Sequence, residues 1–482
     1  MSFMILGTAS HVGKSMTVAA LCRILSNRGV SVAPFKSQNM SLNSYVTPSG
    51  DEIGIAQAIQ AIAARAIPGA EMNPVLLKPK GDSESQVVLM GKPLMDVKVG
   101  EYYRQTERLL DIVTEAYEHL ATNYETVVIE GAGGAAECNL FTRDIANILL
   151  ARRLQLPIIL VADIERGGVF AQLYGTIMLL PEDIRTQVKG IIINKFRGDT
   201  SLFDEGVCII EEKCEVPVLG IIPYTDIALP SEDSLSIGDK IQREGDIRIA
   251  IIRLPRISNF TDFELLERYA PVDFVPPGTP LDKYDAIIIP GTKNSVGDME
   301  VVRSTGCDRE IVKAAKRGIP VIGICGGYQM LGAVIRDHGV EEGNITIRGL
   351  GLLDIITEFS GYTKTTVQVQ RTAAPVGPIL SRIGEVSGYE IHMGTTDTQL
   401  CPHAFETEGA VSENGMIFGT YLHGLFQNRN AVNGLLSYLC EKKGVEYAPV
   451  PEHYSEFTDD AYEKLAAHFE RHLDMNQIMK CI

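Results

Sequence analysis

Short apolar runs rich in Ile, Val and Leu recur along this chain, each ending in a glycine or a polar turn. Residues 3–7, 30–36, 126–130, 156–163, 188–194 and 216–222 show no polar alternation, as expected of strands covered on both faces. The stretches between them carry helical patterning, for example from the first run's turn to about Ser26. Repeated strand–helix units of this kind predict a doubly wound, mostly parallel sheet. A second series opens with residues 247–252 and continues through 285–290, 321–324 and 415–423. Residues 335–415 are more irregular and strand-rich, and after Phe426 the pattern is helical to residue 482, which would cover a sheet edge. A connector rich in Pro, Ser, Asp and Gly runs from about residue 223 to 245. The expected architecture is α/β, with one domain over 1–235, a second α/β domain over 247–435 and a helical extension over 436–482.

With 482 residues, the chain is long enough for two or three cores. No apolar run reaches the roughly 18 to 20 residues that cross a bilayer, and the first strand leads straight into a loop motif, so neither a membrane span nor a signal peptide is expected. Nine cysteines are scattered without metal-type spacing. Together with a reactive thiol this suits a reducing, cytoplasmic setting without disulfides or structural zinc. A net charge of −17 argues against a sequence-independent grip on nucleic acid, which needs a basic face. None of these patterns specifies an oligomeric state.

The first strand runs into Gly7-Thr8-Ala9-Ser10-His11-Val12-Gly13-Lys14-Ser15 and then a helix. Strand, glycine loop and helix in this order form a phosphate loop. Backbone N–H groups from Gly13 onward and the helix dipole would receive the polyphosphate of ATP, Lys14 would reach the outer phosphates, and the Ser15 hydroxyl would sit on Mg²⁺. The loop is one residue longer than the usual spacing. Lys36, at the end of the next strand, would join the same crevice, and Asn194 ends a strand where related folds hold adenine. Glu130 closes the strand 126–130 before Gly131-Ala132-Gly133-Gly134 and is the better magnesium candidate. Asp51 is the weaker one, because Asp51 and Glu52 fall in the first turn of an expected helix and could equally complement its dipole. Asn39, Glu52, Lys78 and Asp144 are polar positions in segments that could face a charged substrate: residues 73–80 and 83–86 form a polar segment in which Lys78 and Lys80 could meet an anionic substrate, with a solvated loop as the alternative.

In the second series, Val321-Ile322-Gly323-Ile324-Cys325-Gly326-Gly327 predicts a strand that turns sharply into a helix with Cys325 on the corner. A helix N-terminus at that corner lowers the thiol pKa. His423, at the end of Thr420-Tyr421-Leu422-His423, is the expected base. Backbone N–H groups near Gly291 and Gly326 would face an oxyanion, and Gln329 follows on the helix. His392 is a rival base that could instead bind substrate.

The order Pro-Gly-Thr, Gly-Ile-Cys-Gly-Gly, Tyr-Leu-His-Gly resembles the glutaminase domain of class I glutamine amidotransferases over about residues 247–430. The resemblance implies a class I glutaminase-like fold, L-glutamine as a substrate, and roles in glutamine binding for Gly291, Gly326 and Gln329. Many of those enzymes carry Glu two residues after the histidine, where this chain has Leu425. The orienter of His423 is therefore unassigned, and a Cys–His dyad, a backbone carbonyl or another side chain are the alternatives. The longer phosphate loop resembles that of dethiobiotin synthetase.

Pro34-Phe35-Lys36-Ser37-Gln38-Asn39-Met40-Ser41-Leu42-Asn43, Glu52-Ile53-Gly54-Ile55-Ala56-Gln57, Asn73-Pro74-Val75-Leu76-Leu77-Lys78 and Gly388-Tyr389-Glu390-Ile391-His392-Met393-Gly394 resemble the cobyric acid synthase family along nearly the whole chain. That resemblance implies ATP- and glutamine-dependent amidation of the b, d, e and g carboxylates of a corrinoid polycarboxylate, with Asn39, Glu52, Lys78, Asp144 and His392 as corrinoid-facing positions. The sister enzyme acting on the a and c carboxylates shares both domains. A phosphate-loop regulatory or partitioning ATPase would account for the first half alone.

Overall fold

The computed structural model describes residues 2–80, 84–227, 229–230, 244–399 and 401–481. Two compact units divide the chain: the first is Met1–Ser41, Asp51–Leu229 and Thr458–Ile482, the second Leu42–Gly50 and Pro230–Phe457. The expected boundary at 235, and much of the expected connector, lie outside the described residues.

The first unit is built on strands β1 (Ser2–Gly7), β2 (Val32–Phe35), β3 (Thr126–Glu130), β4 (Ile158–Asp163), β5 (Val188–Phe196) and β6 (Val218–Pro223). Their order is β6-β5-β4-β1-β3-β2, and every pairing is parallel. The residues of β3 and β4 are all buried, which explains their lack of polar alternation. Helices α1 (Lys14–Asn27) and α2 (Ile55–Ala63) pack on this unit. Beside the sheet lies a second one of four strands, Gln38–Met40, Val75–Pro79, Glu84–Leu89 and Lys92–Lys98.

Two local expectations change here. Residues 52–54 form a short strand and α2 begins only at Ile55, so neither Asp51 nor Glu52 stands in a helical first turn. Residues 75–79 form a strand whose Lys78 is buried, so the polar segment is not the solvated loop that was its alternative reading. Val75, Leu76 and Leu77 are the reason: three apolar side chains in a row cannot remain in a solvated loop at no cost.

The second unit has a sheet of β7 (Ile249–Ile252), β8 (Val272–Val275), β9 (Ala286–Ile289) and β10 (Val321–Ile324), with β11 (Ala410–Val411) and β12 (Ile417–Thr420). The order is β8-β7-β9-β10-β12-β11. Only the last pairing is antiparallel. The irregular stretch folds into smaller sheets, one of which pairs Thr365–Thr372, Glu385–His392 and Leu422–His423.

The helical C-terminus is divided between the units rather than forming a separate extension. Helix α3 (Arg429–Lys443) belongs to the second unit, whereas helix α4 (Tyr454–His472) enters the first from Thr458 on. There Leu473 bridges Gly220 on the edge strand β6 and the Asp474 N–H donates to Leu219 O at 2.8 Å, so the sheet edge is covered as expected. The same segment answers a buried charge. Arg23 on α1 is 0% exposed and is met by Asp459 at 2.7 Å, Glu463 at 3.0 Å and the Tyr462 ring.

Candidate active sites

In the first unit, the turn after β1 places Gly13 at φ 99°, a left-handed conformation that glycine adopts freely. A side chain there would also collide with the Asn194 amide. Asn194 Nδ2 donates to Val12 O at 2.9 Å, while its Oδ1 accepts from the Lys195 N–H at 2.9 Å. The amide nitrogen thus braces the phosphate loop from the end of β5, while the amide oxygen caps the N–H of its own neighbour on that strand. Lys195 reinforces this brace through His11 O at 2.7 Å and Asp163 at 2.8 Å. Lys14 Nζ crosses the loop to Ala9 O and Gly133 O.

Glu130 gathers the rest. Its carboxylate accepts from Ser15 Oγ at 2.8 Å, Lys36 Nζ at 2.7 Å and Gln60 Nε2 at 2.5 Å. Burial alone would raise this carboxyl, but the Lys36 charge, the bonds from Lys36 and Gln60 and the charge of Lys14 hold it below the usual range. Gln60 was not anticipated from the sequence, although a Gln three residues after Gln57 in an otherwise Ile/Ala helix is the available signal. The donor set fits a nucleotide with a hard divalent cation: hydroxyl and carboxylate oxygens lie together beside two ammonium groups at a helix N-terminus.

The structure does not gather the remaining first-unit candidates here. Asp51 is paired with Lys92 at 2.8 Å. Glu52 and Lys78, both buried, are paired with each other at 2.7 Å. Asp144 accepts from the backbone N–H groups of Ala146 and Asn147 at the start of helix Ile148–Leu154. Burial raises its carboxyl despite the bonds from Asn147. Asn39 Nδ2 donates to Gln57 at 3.0 Å. Among the described residues no cluster of three or more His, Cys, Asp or Glu could hold a metal by itself.

In the second unit, Cys325 occupies the corner between β10 and helix Gly326–Leu331 with φ 51° and ψ −108°, a conformation disfavoured for a residue with a side chain. The corner closes because Gly327 packs its Cα directly on Ile289 O of β9, leaving no room for a Cβ. The His423 Nδ1–H donates to Asp262 Oδ2 at 2.7 Å, and the other Asp262 oxygen accepts from the Gly424 N–H at 2.9 Å. A carboxylate only accepts, so Nδ1 carries the proton and Nε2 is left for the sulfur. His423 and Asp262 are 1% and 2% exposed. Burial pulls the imidazole pKa down, but the Asp262 and Cys325 charges and the hydrogen bonds with the same two residues raise it to about 10. The centre therefore carries an imidazolium beside the sulfur.

Asp262 is thus the orienter that Leu425 could not supply, and of the three alternatives left open it is another side chain that holds His423. It comes from the polar loop after β7, a location visible in the sequence, but nothing local marks it as the partner of a residue 161 positions away. Gly291 lies against the His423 ring, where a Cβ would stand 2.9 Å from Cε1. Gly326 lies against Thr292, so backbone N–H groups of the two turns adjoin. Gln329 is engaged by Ser295 at 2.5 Å and Tyr421 at 3.1 Å. His392 stacks on Tyr421 with ring centroids 3.7 Å apart and bonds Gly394 O at 3.0 Å. Its neighbour Ile391, through its carbonyl oxygen, is 3.7 Å from the Cys325 sulfur.

A cysteine on a strained strand–helix corner together with a carboxylate-held histidine, carried in one chain with a phosphate loop, is the arrangement of an amidoligase that draws its nitrogen from glutamine. Residues 3–236 match the CobQ/CobB/MinD/ParA nucleotide binding domain, and residues 248–431 the CobB/CobQ-like glutamine amidotransferase domain. The chain is 62% identical over 479 residues to the "Probable cobyric acid synthase" of Methanosphaerula palustris, covering 99% of this chain and 98% of that one. Proteins of the same name from Methanoculleus marisnigri and Methanosarcina acetivorans are 61% and 55% identical, covering 100% and 99% of this chain and 98% of each relative. The chain belongs to the cobyric acid synthase family.

Proposed function

We propose that this enzyme amidates the b, d, e and g carboxylates of adenosylcobyrinic acid a,c-diamide, using ATP and glutamine. The observation that carries this reading is that both chemical centres, Cys325–His423–Asp262 and Lys14–Ser15–Glu130, occur in a chain matched end to end by cobyric acid synthases. The sister reaction at the a and c carboxylates would use the same two centres; the full-length identity favours the four-carboxylate reaction.

At the second unit the Cys325 sulfur attacks the glutamine side-chain amide carbon, and the adjoining N–H groups of Gly326 and the Gly291 turn receive the oxyanion. As the C–N bond breaks, His423 Nε2 gives its proton to the departing ammonia. It then takes a proton from the water that cleaves the thioester to glutamate. Asp262 keeps the ring in one tautomer and stabilises its charged form.

At the first unit the loop N–H groups, Lys14 and the start of α1 hold the phosphates and offset the charge on the transferred phosphoryl. The substrate carboxylate becomes an acyl phosphate, which ammonia can attack because phosphate is a competent leaving group where an oxide is not. Ser15 and Glu130 are the oxygens that would hold Mg²⁺, which when bound neutralises charge on the phosphates. Lys36 keeps Glu130 ionised for that role. The reaction suits a reducing, cytoplasmic compartment, where Cys325 stays reduced.

The test separates the two halves. Cys325→Ser is expected to abolish glutamine-supported turnover but to keep most ammonia-supported amidation, whereas Lys14→Ala loses amidation with either nitrogen source. Equal loss with both donors in folded Cys325→Ser protein, or substantial ammonia-dependent amidation by Lys14→Ala, would overturn the assignment. Failure of the wild-type enzyme to hydrolyse ATP in response to the corrinoid acid would overturn the substrate.

A further inference from the structure

The segment Leu42–Gly50 lies in sequence inside the nucleotide-binding half but belongs to the second unit. The chain leaves the first unit after Ser41 and returns at Asp51, and between them Asn43, Ser44, Val46 and Thr47 are each at most 2% exposed. The buried residues meet two structures that hold His423. The first is the turn carrying Asp262. Asn43 Oδ1 accepts from the Asn259 N–H at 2.7 Å, and Asn259 Oδ1 accepts from the Ser44 N–H at 2.9 Å. Asn259 stands at φ 53° and begins the single helical turn Phe260–Phe263. Its carbonyl accepts the Asp262 N–H at 3.1 Å. The reciprocal pair therefore fixes a left-handed residue three positions before the carboxylate that orients the histidine.

The second structure is the strand Glu385–His392. Tyr389 stacks on the His423 ring with centroids 5.4 Å apart and donates its hydroxyl hydrogen to Ser44 O at 3.1 Å. Tyr45 packs against the Tyr389 ring, and Gln368 Nε2 donates to Val46 O at 2.9 Å. Asp262, Cys325 and Tyr389 are the groups facing the imidazole, and the segment reaches the first through Asn259 and the last directly.

The geometry points to Asn43, with Ser44 and Tyr45, as positioning residues for glutamine hydrolysis: the glutaminase centre is completed by a segment encoded within the ATP-binding half. Asn43 touches no reacting atom. It holds the Asn259 turn so that Asp262 stays in line with His423 Nδ1, and a displacement of an ångström at such a contact costs on the order of 10²-fold in rate. The chain on either side carries Lys36, which pairs with Glu130, and Glu52, which pairs with Lys78, so the segment is tied covalently to strands of the acyl-activating half.

This inference rests on the Cys325–His423 assignment, and Cys325→Ser tests that assignment separately. The experiment measures glutamate release from glutamine and ammonia-supported amidation in the full chain. Asn43→Ala is expected to lower glutaminase kcat by about 10- to 100-fold with KM changed far less. The alkaline limb of its pH profile should move to lower pH as Asp262 loses hold of the imidazolium, and ammonia-supported amidation should persist. Asn43→Asp retains the acceptor for the Asn259 N–H and should restore most of the activity. Should Asn43→Ala not yield folded protein, Asn43→Ser removes the same acceptor reach with a smaller change and should show the same shifted limb. An unchanged kcat and pH profile in the folded variant would overturn the inference, as would Asn43→Asp being as impaired as Asn43→Ala, or equal loss with both nitrogen donors. If Cys325→Ser still released glutamate, the site assignment itself would fall.

Discussion

Asp262 sets the protonation state of the glutaminase centre, and the consequence can be measured. Replacing it by Asn keeps the shape but removes the charge and allows the amide to favour the wrong tautomer. Asp262→Asn is expected to lose about 10³- to 10⁴-fold in glutamine-dependent kcat while ammonia-supported amidation stays near wild type. A second readout is stability against pH. The His423 pKa is raised from 6.5 to about 10, so the stabilisation from its charged form is complete below about 6.5 and is lost as pH rises through about 10. The Tm gap between wild type and Asp262→Asn should therefore be widest in neutral to mildly acidic buffer and close towards pH 10. A gap that widened with rising pH would reverse this assignment. Asp262 was hidden from the sequence because its partner is chosen by packing across 161 residues, whereas Cys325 was legible from its glycines. That Ser15, Lys36 and Glu130 would converge was legible on another ground: each lies at the end of an apolar run or in the glycine loop that follows one.

At the scale of elements, the corner between β10 and the helix Gly326–Leu331 depends on how closely that helix approaches β9. Gly327 has Ile289 O where a Cβ would be, and a Cβ at Gly323 would press on Gly327 O and the Tyr328 backbone at 2.7 Å. Backbone atoms cannot rotate aside as a side-chain tip can. Gly327→Ala is thus expected to displace the helix, to cost about 3 kcal/mol as an overpacked core site, and to remove glutaminase activity. Calorimetry and glutamate release check it; a folded Gly327→Ala protein with wild-type Tm and activity would contradict the packing argument. The strands of the first main sheet and β7, β9, β10 and β12 of the second were legible as apolar runs, whereas β8, broken by Asp273, and the two-residue β11 were not. The short strands at 52–54 and 75–79 were not, because their neighbours in sequence are polar and their pairing partners lie elsewhere: Gln38–Met40 and Glu84–Leu89 for the latter.

At the scale of the whole molecule, sequence order and structural membership diverge at two places, the Leu42–Gly50 segment and the C-terminus. Apolar patterning gives helices their type but not the unit they join, and α4 was accordingly read as part of a terminal extension. The signal that could have placed it is Arg23, a charge inside the apolar run Leu21-Cys22-Arg23-Ile24-Leu25. A guanidinium that is 0% exposed must be paired, and its acids, Asp459 and Glu463, lie more than 430 residues downstream. The same terminal segment also covers β6 through Leu473 and Asp474. Ending the chain after Phe457 would strip Arg23 of both carboxylates and expose the edge strand, while leaving every residue of the Cys325–His423–Asp262 centre in place. The truncated protein is expected to lose ATP-dependent amidation with ammonia as well as with glutamine, to unfold its nucleotide-binding unit at lower temperature, and to keep glutamate release at temperatures where the second unit remains folded. Replacing both acids, Asp459→Asn with Glu463→Gln, should lower the same transition by less, because the two carboxylates are about half exposed and solvent already screens part of their charge. Unaltered ammonia-dependent amidation and an unaltered first-unit transition in the truncated protein would show that the terminal helix is only an appendage.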